Sequence, residues 1–159
     1  MFRVCTLFCV LISLWVSESE AHEIPPSVKV QIFVRPEGQI LRVLVRVPLE
    51  AMRDTPIPTR AQGYLELNQI EPLLRNATSL WITNYMEIYE ESRKLEQAEI
   101  ITSRVSLPSN RSFEEYDLAL AHIKSPRLPL HTNLYWEQGV LDTLFQYRIN
   151  SEQSDFSIN

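Results

Sequence analysis

The sequence predicts a mainly β, β-sandwich-like domain with one or two short helices, with an α+β arrangement as the alternative. Three observations carry this. Several short segments alternate apolar and polar residues with period two, proline-rich joints separate them, and one segment alone shows a full set of helix start and stop signals. From Val28 to Arg35, Val28, Val30, Ile32 and Val34 alternate with Lys29, Gln31 and Arg35. A turn at Pro36-Glu37-Gly38-Gln39 leads into Ile40 to Val47, with Leu41, Val43, Val45 and Val47 on one face and Arg42 and Arg46 on the other. The two segments read as an antiparallel hairpin. Phe33, Ile40 and Leu44 fall on its nominally outer face, which predicts that this face is partly covered as well.

Pro48 to Asp54 suits a short helical turn ended by Pro56 and Pro58. Gly63 to Leu67 reads as a short strand and Glu71 to Asn76 as a second helical turn. Leu80 to Thr83, Met86 to Glu91 and Glu99 to Leu107 read as extended, with a polar turn around Arg93, Lys94 and Glu96. The clearest helix starts at Ser112-Phe113-Glu114-Glu115, a capping box, carries Phe113, Tyr116, Leu120 and Ile123 as its stripe, and stops at Ser125-Pro126. Asn133 to Trp136 and Leu141 to Ile149 then flank Glu137-Gln138-Gly139 as a further hairpin. Leu141, Thr143, Phe145, Tyr147 and Ile149 share one of its faces. Ser154 to Asn159 alternates like a strand with no turn or cap after it, so the chain reads as interrupted.

In front of this domain, Val4 to Val16 is apolar apart from Cys5, Thr6, Cys9 and Ser13. As a helix those residues span roughly 20 Å, short of a bilayer core of about 30 Å. With Arg3 before the run and Ser19-Glu20-Ala21 after it, residues 1–21 read as a secretory signal peptide cleaved between Ala21 and His22. Removing these 21 residues from 159 leaves 138, takes away both cysteines, and changes 15 basic and 20 acidic residues to 14 and 18, a net charge of −4. Residues 22–159 then form one exported, cysteine-free domain without a membrane span of its own. The acidic balance removes the electrostatic argument for nucleic-acid binding. A hydrophobic fraction of 45% removes disorder as the default.

Chemistry has few places to sit. Cleavage would make His22 the N-terminal residue, whose amine and ring nitrogen chelate one ion together; copper(II) favours such nitrogen ligation, and His122 or His131 would complete a three-nitrogen brace. His122 is expected on the polar flank of the capped helix and His131 in a proline-rich loop. Tyr135-Trp136-Glu137-Gln138 beside Asp142 resembles a sugar platform, although hairpin aromatics more often fill a core. Glu90-Glu91 and Glu114-Glu115 are expected to be solvated. Arg35, Arg42 and Arg46 are expected to form a solvent-facing basic stripe balanced by acids. Phosphate loops, dinucleotide fingerprints and Cys/His zinc spacings are absent from the sequence, and no histidine is expected beside a serine to activate it.

The stretches AHEIPPS at 21–27, FVRPEG at 33–38, LVRVPL at 44–49 with AMRD at 51–54, RVSLPS at 104–109 with RSF at 111–113, and LYWEQG at 134–139 together resemble the exported N-terminal region of HupE/UreJ-like bacterial membrane proteins. The resemblance covers nearly the whole chain after residue 20. It implies a periplasmic β-rich domain ahead of a transmembrane bundle related to nickel or cobalt permeases. This sequence stops at Asn159 before any such bundle, so none of the bundle's metal-handling residues carries over. The expectation is a non-enzymatic interaction or metal-delivery module for a membrane permease at the periplasmic face of the inner membrane, with copper or nickel as the candidate metal. A copper-binding protein or oxidative enzyme built on the histidine brace of His22, His122 and His131 is the alternative.

Overall fold

In the computed structural model, which describes residues 28–52 and 55–159, the first alternating segments become strands β1 (Gln31–Glu37) and β2 (Ile40–Pro48). Ile32 faces Val45 and Val34 faces Val43 across the ladder. The turn is only Gly38 and Gln39, with Gly38 at a φ of 61° that a side chain would strain. Pro36, expected in the turn, lies inside β1, where a missing N–H is tolerated because β1 is an edge strand. The predicted leader, its cleavage site and His22 fall outside the described residues.

Strand β5 (Glu99–Ser106) joins the sheet through β6 (Val140–Arg148), giving the order β1-β2-β6-β5 with every pair antiparallel. Residues 133–136 do not form the expected hairpin with β6, because both edges of β6 are already taken by β2 and β5. Tyr135 instead makes a single bridge to Tyr64, and Trp136–Gln138 is a 3₁₀ turn. The strand expected at Gly63 to Leu67 shrinks to that bridge and one between Thr59 and Leu65. Gly139 lets the chain re-enter the sheet: a Cβ there would stand 2.7 Å from Leu49 Cδ1.

The central sheet buries both faces, and strand alternation sorts the residues between them. Leu41, Val43, Val45, Leu141, Phe145 and Tyr147 enter the larger core together with Ile88 and helix α1 (Ile70–Thr78). Leu44 and Leu144 point the other way, into a smaller core with Phe113, Tyr116, Ala119 and Ile123, most of it from helix α2 (Tyr116–Lys124). This is the covered outer face that Phe33 and Leu44 announce in the sequence. A bulge at Ile101 in β5 resets the alternation, so that Ile100 opposite Phe145 and Val105 opposite Leu141 share a face despite their odd spacing.

Residues expected as an extended Leu80 to Thr83 are helical: α1 runs on into a π-type turn, Ser79–Thr83. The reason is a stripe longer than the predicted helix. Ile70, Leu74, Ala77 and Ile82 are all buried at helical spacing. At the end of α1 the Thr78 hydroxyl meets Ser103 Oγ at 3.0 Å, which meets Thr143 Oγ1 at 2.9 Å, so three buried hydroxyls tie α1 to the sheet.

The second sheet has the order β4-β3-β7, from β3 (Ile88–Glu90), β4 (Arg93–Lys94) and β7 (Phe156–Ile158). The terminal alternation thus becomes a strand. Glu90, expected in solvent, is 2% exposed, and its carboxylate accepts from the Asn150 amide at 2.7 Å, the Ser151 amide and the Ser154 hydroxyl at 3.1 Å each, and Arg93. It clamps the turn between β6 and β7 to β3. The chain is mainly β, with two sheets and two α-helices among the described residues. Among the described residues no helix is long and apolar enough to cross a membrane.

Two outcomes follow from this packing. Leu44→Ala empties a fully buried site under α2 and should cost about 2–5 kcal/mol in urea unfolding, whereas Ile101→Ala, 40% exposed at the bulge, should stay within about 0.5 kcal/mol. Burial opposes the Glu90 charge, but Arg93 and the Ser151 and Asn150 amides outweigh it and bring the carboxyl to about 2. Its contribution is therefore complete above the unfolded carboxyl value of about 4.3 and is lost as pH falls toward 2. Acid titration of stability should show this loss in the wild-type chain and a shallower one in Glu90→Gln.

Candidate functional site

Cross-strand register places Arg46 of β2, Asp142 of β6 and Arg104 of β5 side by side on the face toward α2. All three are buried, Asp142 completely. Arg46 grips Asp142 with both ends of its fork, Nε to Oδ1 at 2.6 Å and Nη2 to Oδ2 at 2.7 Å. It continues to the Asn110 carbonyl at 2.6 Å and Asn110 Oδ1 at 3.0 Å, with its guanidinium carbon 4.3 Å from the centre of the Phe113 ring. Arg104 donates to the carbonyls of His122 at 2.6 Å, Ser125 at 3.1 Å and Pro126 at 2.9 Å, where α2 ends and its carbonyls lack helical partners. One arginine thus holds the turn before α2 and the other its C-terminal end, with Asp142 between them.

Arg46 therefore does not belong to a solvent-facing stripe. Its alternation within β2 is as expected, but α2 covers the face it occupies. Arg35 and Arg42 stay nearer the surface, paired with Asp117 and Glu37, and Arg35 also stacks over Tyr116 at 3.6 Å. The Ser112 capping box does not form either. Ser112 Oγ and its amide both donate to Asn110 Oδ1, at 2.6 and 3.0 Å, and α2 starts after an extended Glu115 without a side-chain cap.

His122 sits against this cluster rather than on a solvated flank. Its Nε2 lies 2.7 Å from Ser106 Oγ and 3.3 Å from Asp142 Oδ2, and its Nδ1 lies 3.3 Å from Asn110 Nδ2. Serine, histidine and aspartate do come together, contrary to the expectation that no histidine stands beside a serine. The hydrogen-bond network nevertheless assigns them a structural part. Asn110 Oδ1 already receives Arg46 and Ser112, so Asn110 must turn its NH₂ to Nδ1, which then accepts and leaves the ring proton on Nε2. A base must present a bare nitrogen to the serine, whereas this Nε2 donates. Ser106 is also 0% exposed, so no substrate reaches it. Burial, followed by the repulsion of Arg104, lowers the His122 pKa from its ordinary value, with Asp142 opposing.

His131 is exposed in the loop before Leu134, and His22 lies outside the described residues. No group of three or more His, Cys, Asp or Glu side chains able to hold a metal occurs among the described residues. Tyr135, 40% exposed, stacks on Tyr64 with ring centres 4.5 Å apart, and Glu137 is exposed in the 3₁₀ turn. Asp142, buried under α2, does not share a cleft with Glu137.

The larger core is open at one side. Val45 and Val47 form the floor of an apolar groove of about 310 Å³ whose rim includes Val30, Ile32, Trp81, Tyr85 and Ile158. Val30, Ile32 and Tyr85 are 46%, 41% and 77% exposed, too much for core residues of a closed layer. Edge strands β1 and β7 border the groove, one from each sheet. Sequence reading misses it because it depends on residues 79–83 being helical, which brings Trp81 and Tyr85 to one rim.

No family model, curated protein or solved structure matches the chain.

The arginine–aspartate cluster makes a sharp prediction. Asp142→Asn leaves two arginines buried without their counter-charge and should cost about 3–5 kcal/mol in denaturant unfolding. Arg111→Ala, which removes an exposed pair with Glu114, should cost less than about 1 kcal/mol.

Proposed function

We propose that residues 22–159 are a non-enzymatic extracytoplasmic module that docks a membrane permease component, of the kind the HupE/UreJ-like resemblance implies. The apolar groove between β1 and β7 carries this reading. Its rim exposes Trp81 and Tyr85, residue types enriched where proteins meet partners, over an apolar floor. The occupant that fits is an extended apolar segment of the permease component, because among the described residues each of the two bordering strands has one unpaired edge that can take a backbone ladder. Interaction is favoured over metal delivery. Both ring nitrogens of His122 are engaged within the fold, which leaves His22 and His131 as the sequence's remaining nitrogen ligands.

A photo-crosslinking residue at Tyr85 or Ile32 tests this in cells that make the full chain with its permease. Adducts with an integral membrane protein are expected from both positions and not from Arg111 on the α2 side. Ile32→Asp and Tyr85→Asp should reduce membrane association at least about tenfold, the discrimination expected from losing a central apolar contact. Equal adducts from Arg111, or adducts only with a second copy of the chain, would overturn the reading.

A further inference from the structure

The hydrogen-bond directions around His122 have a consequence separate from docking. Nδ1 is an acceptor only because Asn110 presents its NH₂, and Asn110 cannot turn over while Oδ1 holds Arg46 Nη2, the Ser112 amide and the Ser112 hydroxyl. A second proton on His122 would therefore set an N–H against an N–H. It would also add a cation to a cluster that already holds two arginines and one aspartate.

We propose that His122 is an acid-sensitive latch: protonation of its ring releases α2 and the turn at residues 107–115 from the central sheet, while the sheet itself persists. The charged groups facing it are Arg46 from β2, Arg104 from β5 and Asp142 from β6. From the 107–115 turn the neighbour is the neutral Asn110, since Arg111 is turned outward onto Glu114. Asp142 attracts the proton, but both its oxygens are already engaged by Arg46. The segment is separable because its apolar contacts form the smaller core, distinct from the one beneath the other face.

The direction follows from linkage. An undocked His122 takes its proton near the ordinary value of about 6.5, and the docked ring takes it only at lower pH, so the open form binds more protons between the two values. The latch is closed above that window and opens as pH falls through it. The ratio of open to closed should rise by up to about tenfold per pH unit, the limit for one proton.

Amide hydrogen exchange on the full chain between pH 7.5 and 5, corrected for the intrinsic pH dependence of exchange, tests it. Protection across residues 107–124 should fall toward acid while that of β2 and β6 holds. His122→Gln, which keeps a donor toward Ser106 but cannot charge, should abolish the fall. Asn110→Asp puts an acceptor opposite Nδ1 and should move the His122 NMR titration upward and remove the acid release. Protection of 107–124 that does not change with pH in the wild-type chain would overturn the latch. So would an unchanged fall in His122→Gln, or a His122 titration at or above 6.5 with α2 still protected.

Discussion

Asp142 is the group around which the rest of the molecule is arranged. A carboxylate with no exposure is tolerable only if its charge is answered, and the register of β2, β6 and β5 supplies an arginine on either side. Each arginine has donors left over, and these satisfy the backbone of the turn before α2 and of the helix's C-terminal end. The helix is thereby held by charge as well as by its few apolar residues. That explains how nine residues of α2 without a side-chain N-cap stay on the sheet.

The same cluster shows how chemistry-bearing residues can assemble without doing chemistry. Ser106, His122 and Asp142 meet within hydrogen-bond reach, yet proton placement turns the histidine into a donor and burial closes the serine off. The exposed face of the larger core, by contrast, is apolar. The groove between the two sheets is lined by residues whose spacing in β1 is that of a core strand, although nothing in the described chain covers them. A surface of that kind fits a docking role better than a catalytic one.

Much of the fold was legible in the sequence. Period-two alternation located β1, β2, β6 and β7, the extended readings held for β3 and β5, and Phe33 and Leu44 on the polar side of their strands announced the second covered face. Readings failed where a choice depended on distant partners. Ser112 followed by Glu115 is a sound local cap, but Asn110 captures the serine first because Arg46 holds it in place. Leu80 to Thr83 has β-like composition, and the helical stripe ending at Ile82 overrides it. In the sequence Asp142 is only a neighbour of the Tyr135–Gln138 segment; its meaning comes from Arg46 and Arg104, 96 and 38 positions away, which alternation cannot align. One local signal was available, since Asp142 stands between Leu141 and Leu144-Phe145 in a strand buried over most of its length, and such an acid calls for a partner.

Strand order also governs when this chain can acquire its shape during synthesis. The hairpin of β1 and β2 emerges early and β5 midway, but they are joined only by β6, which begins at Val140. Until then the central sheet is missing its middle, and Asp142, the counter-charge to Arg46 and Arg104, has not been made. Local structure can form on the way, but the cooperative fold must wait until β6 has been made. A growing polypeptide of this sequence thus stays without its central sheet until Val140 and the residues after it are available, a delay set by topology rather than by low stability.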